Sequence, residues 1–166
     1  MNLEIQPLRN EEVDLFNKAD EAAFNVHARY FPDGIVPGAA EDDRGEYDLK
    51  KVMDDPKYTV LSIKDDGHFV GGAIVEETGK SSREIEIFFL IVEYQSKGIG
   101  KEALALVEAY FPDTKVFRLI TPSNVERNTV FYVNKCGYRI VKVVGFDREA
   151  NTADYVFEKR IRRKTK

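Results

Sequence analysis

The alternation of apolar and polar positions divides the chain into strands and helices that succeed one another along most of its length. Leu3 to Leu8 repeats with a period of two and predicts a first strand, and Glu11 to about His27 sets Val13, Phe16, Ala19, Ala23 and Phe24 near one helix face. From Arg29 to Gly45 the periodicity stops. Pro32, Gly34, Pro37 and Gly38 among several acids give a loop longer than most connections in compact domains, of the kind that often borders a site. A short helix over 47–53 precedes two strands, 58–64 and 68–77, joined through the hairpin signal Asp65-Asp66-Gly67. Ile85 to Val92 is the densest strand signal, apolar on both faces from Ile87 onward, as a central strand requires. A helix then runs from Gly100 to about Tyr110, with Ile99, Ala103, Leu106 and Val107 at core spacing, and Phe111-Pro112 ends it. After a strand over 116–121, Ser123 and Glu126 form a capping box that opens a second helix, closed by Gly137. Two strands over 139–146 and 154–159 finish the chain. This order predicts one α/β domain over residues 1–160, a mixed sheet packed by helices on both faces, with a basic tail at 161–166.

Composition narrows the class of function. The 166 residues are enough for one ordinary core, and 43% hydrophobic with 33% charged residues is a globular balance. The longest apolar run, Ile87 to Val92, falls far short of the roughly 20 residues that cross a bilayer, and the first residues lack the cationic start of a signal peptide. These features imply a soluble, cytoplasmic protein without a membrane partner. The single cysteine, Cys136, excludes an internal disulfide, and with only His27 and His68 beside it no structural zinc site assembles. The last eight residues carry six of the positive charges; since the whole chain has a net charge of −4, the body stands at −10. An acidic body repels phosphate backbones and attracts cations, so nucleic acid is not the expected partner.

The sharpest local feature is Gln95-Ser96-Lys97-Gly98-Ile99-Gly100-Lys101, between the central strand and a helix start. Glycines there let the backbone approach a ligand, and first-turn amides with the helix dipole suit anionic oxygens such as those of a diphosphate. Lys97 and Lys101 add positive charge. The plainer reading is that Gly98 and Gly100 only shape a tight strand-to-helix connection. Two phosphate motifs do not fit well. Gly79-Lys80-Ser81 ends like a Walker A loop, but Ile74 stands where its first glycine belongs. Gly98-Ile-Gly100-Lys-Glu-Ala103 satisfies the dinucleotide pattern GxGxxA, yet Glu93 to Lys97 intervene after the strand and the next strand tip, Leu119 to Pro122, carries no acid.

The same segment resembles the GNAT (Gcn5-related N-acetyltransferase) superfamily. The family signature Q/RxxGxG/A after a central strand looks like Gln95-Ser-Lys-Gly98-Ile-Gly100, and Asn128, Phe131-Tyr132 and Lys135-Cys-Gly137-Tyr138 resemble the second half of the family pattern. The match covers about residues 84–140. Val92 stands where the family often has Pro, and Tyr132 lies five residues before Gly137 where four is commoner. The resemblance implies a mixed, mostly antiparallel sheet and an N-acetyltransferase that takes acetyl from acetyl-CoA to a primary amine by direct attack. It implies that residues 95–101 hold the diphosphate, that Leu90 and Ile91 offer backbone hydrogen bonds to the pantetheine, and that Asn128 touches the cofactor. Glu84, eleven residues before Gln95, is the first candidate for the base that deprotonates the amine, with Glu86, two residues later on the same strand face, as the alternative. Tyr132 is the candidate acid that protonates the departing thiolate; a core tyrosine is the plainer reading. The loop acids Glu41-Asp42-Asp43, with Asp33 and Glu46, are either a solvated face or an attraction for a cationic acceptor. A catalytically silent CoA-binding module of the same fold is the alternative from another class. The acceptor and the oligomeric state, a homodimer included, stay open.

Overall fold

The computed structural model describes residues 1–30 and 48–162; the acidic loop residues named above, Tyr47 and the end of the basic tail lie outside them. Strands β1 (Leu3–Pro7), β2 (Tyr58–Asp65), β3 (His68–Gly79), β4 (Ser82–Leu90), β5 (Val116–Pro122), β6 (Arg139–Asp147) and β7 (Thr152–Arg160) form one sheet in the order β1-β2-β3-β4-β5-β7-β6. Only β4 and β5 run parallel; every other neighbouring pair is antiparallel. The helices are α1 (Val13–Asn25), α2 (Leu49–Asp54), α3 (Gly100–Ala109) and the short α4 (Glu126–Thr129). The β2–β3 hairpin turns through Asp66 and Gly67 at φ 48° and 80°, which is why the sequence carries Asp-Gly there.

The predicted elements form, with two local differences. Val92 leaves the central strand and enters a 3-10 turn, Val92–Tyr94, because the ladder with β3 ends at Leu90 and Ile91. The capping box does not form. The Ser123 hydroxyl accepts a hydrogen bond from the Ala153 amide at 3.1 Å and the Ser123 amide donates to the Ala153 carbonyl at 2.7 Å, so Ser123 joins β5 to the start of β7 and the helix opens at Val125 without a side-chain cap.

The two faces of the sheet hold separate cores. On one, α3 sets Ala103, Leu104 and Val107 against Leu61, Ile63, Ile85, Phe117, Leu119 and Phe157. On the other, Val13, Phe16 and Ala23 of α1 and Leu49 of α2 meet Val60, Ile74 and Phe89. Phe16 is fully buried, contributing roughly 2–3 kcal/mol, in space that Gly72 leaves empty: a Cβ there would stand 2.2 Å from the Phe16 ring. Among the described residues no helix is long and apolar enough to cross a membrane.

A buried ion pair ties the entry of α1 to the sheet. The Lys64 ammonium lies 2.6 Å from the Glu12 carboxylate, which also accepts from Arg9. Burial by itself would raise the Glu12 carboxyl, but hydrogen bonds from Arg9 and Lys64 outweigh it and hold the group down at about 2. Lys64→Ala is expected to destabilise the fold by roughly 2–3 kcal/mol at neutral pH, less than for a fully stranded charge because Arg9 remains. Urea unfolding checks this. A depressed carboxyl stabilises above its unfolded value, so the difference between the two proteins should shrink as pH falls from about 4.5 toward 2.

Candidate active site

The parallel ladder between β4 and β5 is short. Ser82, Arg83 and Glu84 pair with Val116, Phe117 and Arg118, and beyond Glu84 the strands part. The parting leaves a wedge in the middle of the sheet. Antiparallel ladders alternate, so the hydrogen bond from the Ile91 amide to the Val70 carbonyl (2.9 Å) fixes Phe89 as pointing its backbone at β3 and turns the backbone groups of Phe88 and Leu90 toward β5, where no strand meets them. A carbonyl or amide left on an open edge seeks a partner. At Leu90 the carbonyl already has one, the side-chain amide of Gln95 at 2.9 Å.

This wedge opens into a cavity of about 680 Å³ with three walls. One is β4 with Phe88, Phe89 and Leu90; one is the turn into α3, with Gln95, Ser96, Gly98, Gly100 and Lys101; the third is α4 with the turn beyond it, contributing Asn128, Phe131, Tyr132 and Lys135. Asp20, Phe24, His27 and Tyr30 from α1 and the turn after it close the far end.

The turn into α3 has the shape that a bound anion needs. Ser96 and Gly98 take left-handed φ of 60° and 84°, and a Cβ built on Gly98 meets nothing within 4 Å, so its open side faces free space. Ser96, Lys97, Gly98 and Ile99 donate no backbone hydrogen bond to any described residue, and α3 begins without a side-chain cap. Lys101, Arg127 and Lys135 line the cavity and form no ion pair with a described residue. Uncommitted amides, a helix start and three cations fit a diphosphate-bearing ligand. Gly100 has a different purpose: its missing Cβ would stand 3.1 Å from the Phe131 ring, which stacks on Phe88 at 6.4 Å.

The extra residue between Tyr132 and Gly137 has a structural counterpart. Val130–Lys135 forms a π-helical turn, in which the Cys136 amide reaches back five residues to the Phe131 carbonyl at 3.1 Å. Such turns absorb one inserted residue. Tyr132 thereby faces the cavity wall while its ring packs at 5.8 Å on Tyr138 and 5.6 Å on Phe157. Burial pushes its phenol well above the ordinary range, so it holds its proton at neutral pH.

Of the residues singled out in the sequence, Leu90, Gln95, Ser96, Gly98, Gly100, Lys101, Asn128 and Tyr132 come together around the cavity. Ile91, Lys97, Ile99, Glu84 and Glu86 are not among the residues that line it. Both backbone groups of Ile91 are spent inside the protein, on Val70 and Tyr94, so the open groups are those of Phe88 and the amide of Leu90 instead. The Ile99 side chain is core, and the Lys97 ammonium lies over the Tyr94 ring. The Asn128 amide is tied to the Thr121 hydroxyl at 3.0 Å, bracing α4 against the end of β5. Glu84 stands in the part of β4 still paired to Arg118.

Glu86 differs from Glu84. Ile85 pairs with Val75 and Ile87 with Ile74, so Glu86 is the extra residue of a β-bulge. Ile85 packs in one core and Ile87 in the other, so the bulge breaks the alternation between them, while the Glu86 carboxyl still meets that of Glu76, the cross-strand partner of Glu84. Burial of its carboxyl, the Glu76 carboxylate and then Glu84 push Glu86 up to about 7, while Lys57 pairs with Glu76 and keeps that group low. Sequence reading also misses His27, Tyr30, Arg127, Phe88 and Lys135. His27 is held below its ordinary value by burial and by Arg127 and Arg29. Cys136 is buried and its thiol is pushed up to about 11 by burial, which suits packing and not nucleophilic attack.

The geometry agrees with the comparisons. The chain is 36% identical over 111 residues to YrkN of Bacillus subtilis (strain 168), a protein described as uncharacterized; the match takes in 66% of this chain and 56% of that one, so the chain spans little more than half the length of this relative. Among solved structures, the PaiA N-acetyltransferase of Thermoplasma acidophilum in complex with coenzyme A superposes with a TM-score of 0.70 at 20% identity, over 97% of this chain and 100% of that one. The spermidine N-acetyltransferase of Vibrio cholerae, in complex with CoA and spermine, gives 0.71 at 12% identity over 95% of each. The sequence pattern of the acetyltransferase (GNAT) family matches residues 20–138, which is most of the chain and takes in the end of α1, the splayed strands, the turn and α4. The protein belongs to the GNAT acetyltransferase family.

Proposed function

We propose that the protein is an N-acetyltransferase that moves acetyl from acetyl-CoA to a primary amine by direct attack in a ternary complex. The observation that carries this reading is the wedge between β4 and β5 running into the uncommitted amides at residues 96–99. Bound acetyl-CoA supplies a thioester carbonyl open to attack and a thiolate as leaving group. The turn and the first residues of α3 bind its diphosphate, with Lys101, Arg127 and Lys135 adding positive charge. The open backbone groups of Phe88 and the Leu90 amide orient the arm along β4 as a missing strand would, and a backbone amide there stabilises negative charge on the attacked oxygen. Phe88 and Phe131 exclude water from the same stretch.

Two proton transfers remain for side chains. An alkylammonium has a pKa near ~10.4, so it must lose a proton before attack. Neither Glu84 nor Glu86 lines the cavity, so the proton would reach either through water; Glu86 is favoured because a carboxyl raised to about 7 by burial and by Glu76 is ionised above neutrality and is a better base than an ordinary glutamate. Tyr132, fully protonated and on the wall of the cavity, donates to the thiolate.

The test is amine-dependent release of free CoA thiol from acetyl-CoA across a panel of small-molecule and peptide amines. Turnover with at least one amine is expected; tight CoA binding without turnover would select the silent module, and tight NAD(P) binding without CoA binding a dinucleotide protein. Gly98→Val is expected to weaken acetyl-CoA binding by about tenfold, roughly 1.4 kcal/mol, since it strains a left-handed residue and fills the open side of the turn. Calorimetry reads the change.

A further inference from the structure

We infer that the acceptor is a small amine that carries a carboxylate, an amino acid, and that Arg127 binds this carboxylate at the end of the cavity formed by α1 and the turn after it. This assignment rests on the N-acetyltransferase reading and names its amine. Arg127 lines the cavity half-buried, and its guanidinium pairs with no carboxylate among the described residues. A guanidinium taken partly out of water is stabilised by an anion, and its planar fork matches a carboxylate through two parallel hydrogen bonds.

The cations of the cavity fall into two groups. Burial raises the Cys136 thiol, and Lys159, Lys101 and Lys135 are among the charges that act against it, so the two lining lysines stand on the Cys136 side. Lys101 is also the second residue of α3, beside the uncommitted amides at 96–99. These two serve the diphosphate. His27, at the other end, is lowered first by burial and then by Arg127 and Arg29, which places Arg127 beside α1. Arg29 covers the Tyr30 ring at 5.1 Å and donates to its hydroxyl at 3.3 Å. The Tyr30 carbonyl accepts from the Asn124 side-chain amide at 3.1 Å, so this end is braced against the entry to α4. A diamine or polyamine would bring a second ammonium into the field of two guanidiniums that already disfavours charge on His27. Asp20 and Glu126 line the cavity as well, so its walls carry both signs, as an amino acid does, and the rings of Phe24, His27 and Tyr30 flank the carbon frame. In the reaction the acceptor nitrogen bonds to the acetyl carbon as the C–S bond breaks; the products are an N-acetylated acid, CoA thiol and one proton released to water.

Steady-state thiol release with matched acceptors reads the class on the wild type. α-Amino acids and ω-amino acids of increasing length are each compared with the amine that lacks the carboxylate and with the diamine that replaces it by an ammonium. At least one acid should exceed both counterparts in kcat/KM by about tenfold, the lower end for a charge-assisted hydrogen bond. Arg127→Gln should remove that preference and raise the acceptor's KM more than the dissociation constant of acetyl-CoA, and Arg127→Lys should restore part of it. Lys101→Gln should do the reverse, weakening acetyl-CoA more than the acceptor. The 3′-phosphate of the cofactor is the other anion within the chemistry of Arg127, and 3′-dephospho acetyl-CoA separates the two. A loss in Arg127→Gln confined to the 3′-phosphorylated cofactor, with the acceptor preference intact, would assign the arginine to the cofactor and overturn the proposal. Equal or faster turnover of the amines without a carboxylate would overturn it too, while leaving the acetyltransferase reading standing. If no amine turns over, calorimetry of the same acids onto the CoA-saturated protein still decides: binding that Arg127→Gln abolishes supports the carboxylate site, and no binding of any acid overturns it.

Discussion

Tyr132→Phe is expected to lower kcat by about 100-fold, the lower end of what a positioned general acid contributes, while the dissociation constant of acetyl-CoA stays as in the wild type. The ring is held by Phe131, Tyr138 and Phe157, and phenylalanine keeps all of those contacts, so the cavity wall and the fold survive the change. Only one O–H disappears. Because burial holds the phenol far above neutrality, the wild-type group is protonated throughout the working range, and the loss should be the same at every pH tested. Stopped-flow or steady-state thiol release with saturating amine reads kcat, and calorimetry reads binding. Equal turnover in the two proteins would return Tyr132 to the role of a packing residue, with the thiolate leaving unprotonated or protonated by water.

How far the site can be read from sequence depends on whether a residue's reason is local. Gly98 is legible because a left-handed turn with nothing beside its Cβ must be glycine or something close to it. The extra residue before Gly137 is legible as a count, and the π turn at Val130–Lys135 is its structural consequence. The separation of β4 and β5 leaves no such mark: Ile85 to Leu90 has the composition of any central strand, and only the fold shows that its pairing with β5 ends at Glu84 and Arg118 while β5 runs on to Pro122. The same holds for Ile91, whose apolar side chain says nothing about its amide being spent on Val70. Ser123 reads as a helix cap because Glu126 stands at the right spacing, but the competing partner, Ala153, is 30 residues away and invisible to a local rule. His27 and Tyr30 reach the cavity only because α1 packs over β3 and β4, a tertiary fact. Glu86 is visible as a candidate, yet its distinction from Glu84 comes from a bulge, which alternation in an apolar strand conceals.

That distinction sets the second large effect. Glu86→Gln is expected to lower kcat/KM by roughly 100- to 1000-fold at pH 8, and Glu84→Gln to leave it close to wild type. The wild-type profile should rise with pH up to about 7 and level off above it, as the carboxyl ionises and becomes able to accept a proton. Glu86→Gln should lose that limb, whereas the limb set by the acceptor's own ammonium should stay where it was. An unaltered profile in Glu86→Gln would move the base to Glu84 or to a water chain. Stability supplies a second readout that does not depend on the substrate. A carboxyl raised in the folded state binds its proton more tightly there than in the unfolded chain. Between the unfolded value near 4.5 and about 7 the native state therefore holds more protons, and stability falls as pH rises through that window. His27, held low by burial, has the opposite sign in the upper part of the same window. The difference between wild type and Glu86→Gln removes the histidine from the comparison. That difference should favour the glutamine protein increasingly from pH 4.5 to 7 and then stay constant, since glutamine keeps the shape of the group and never has to carry charge beside Glu76 and Glu84.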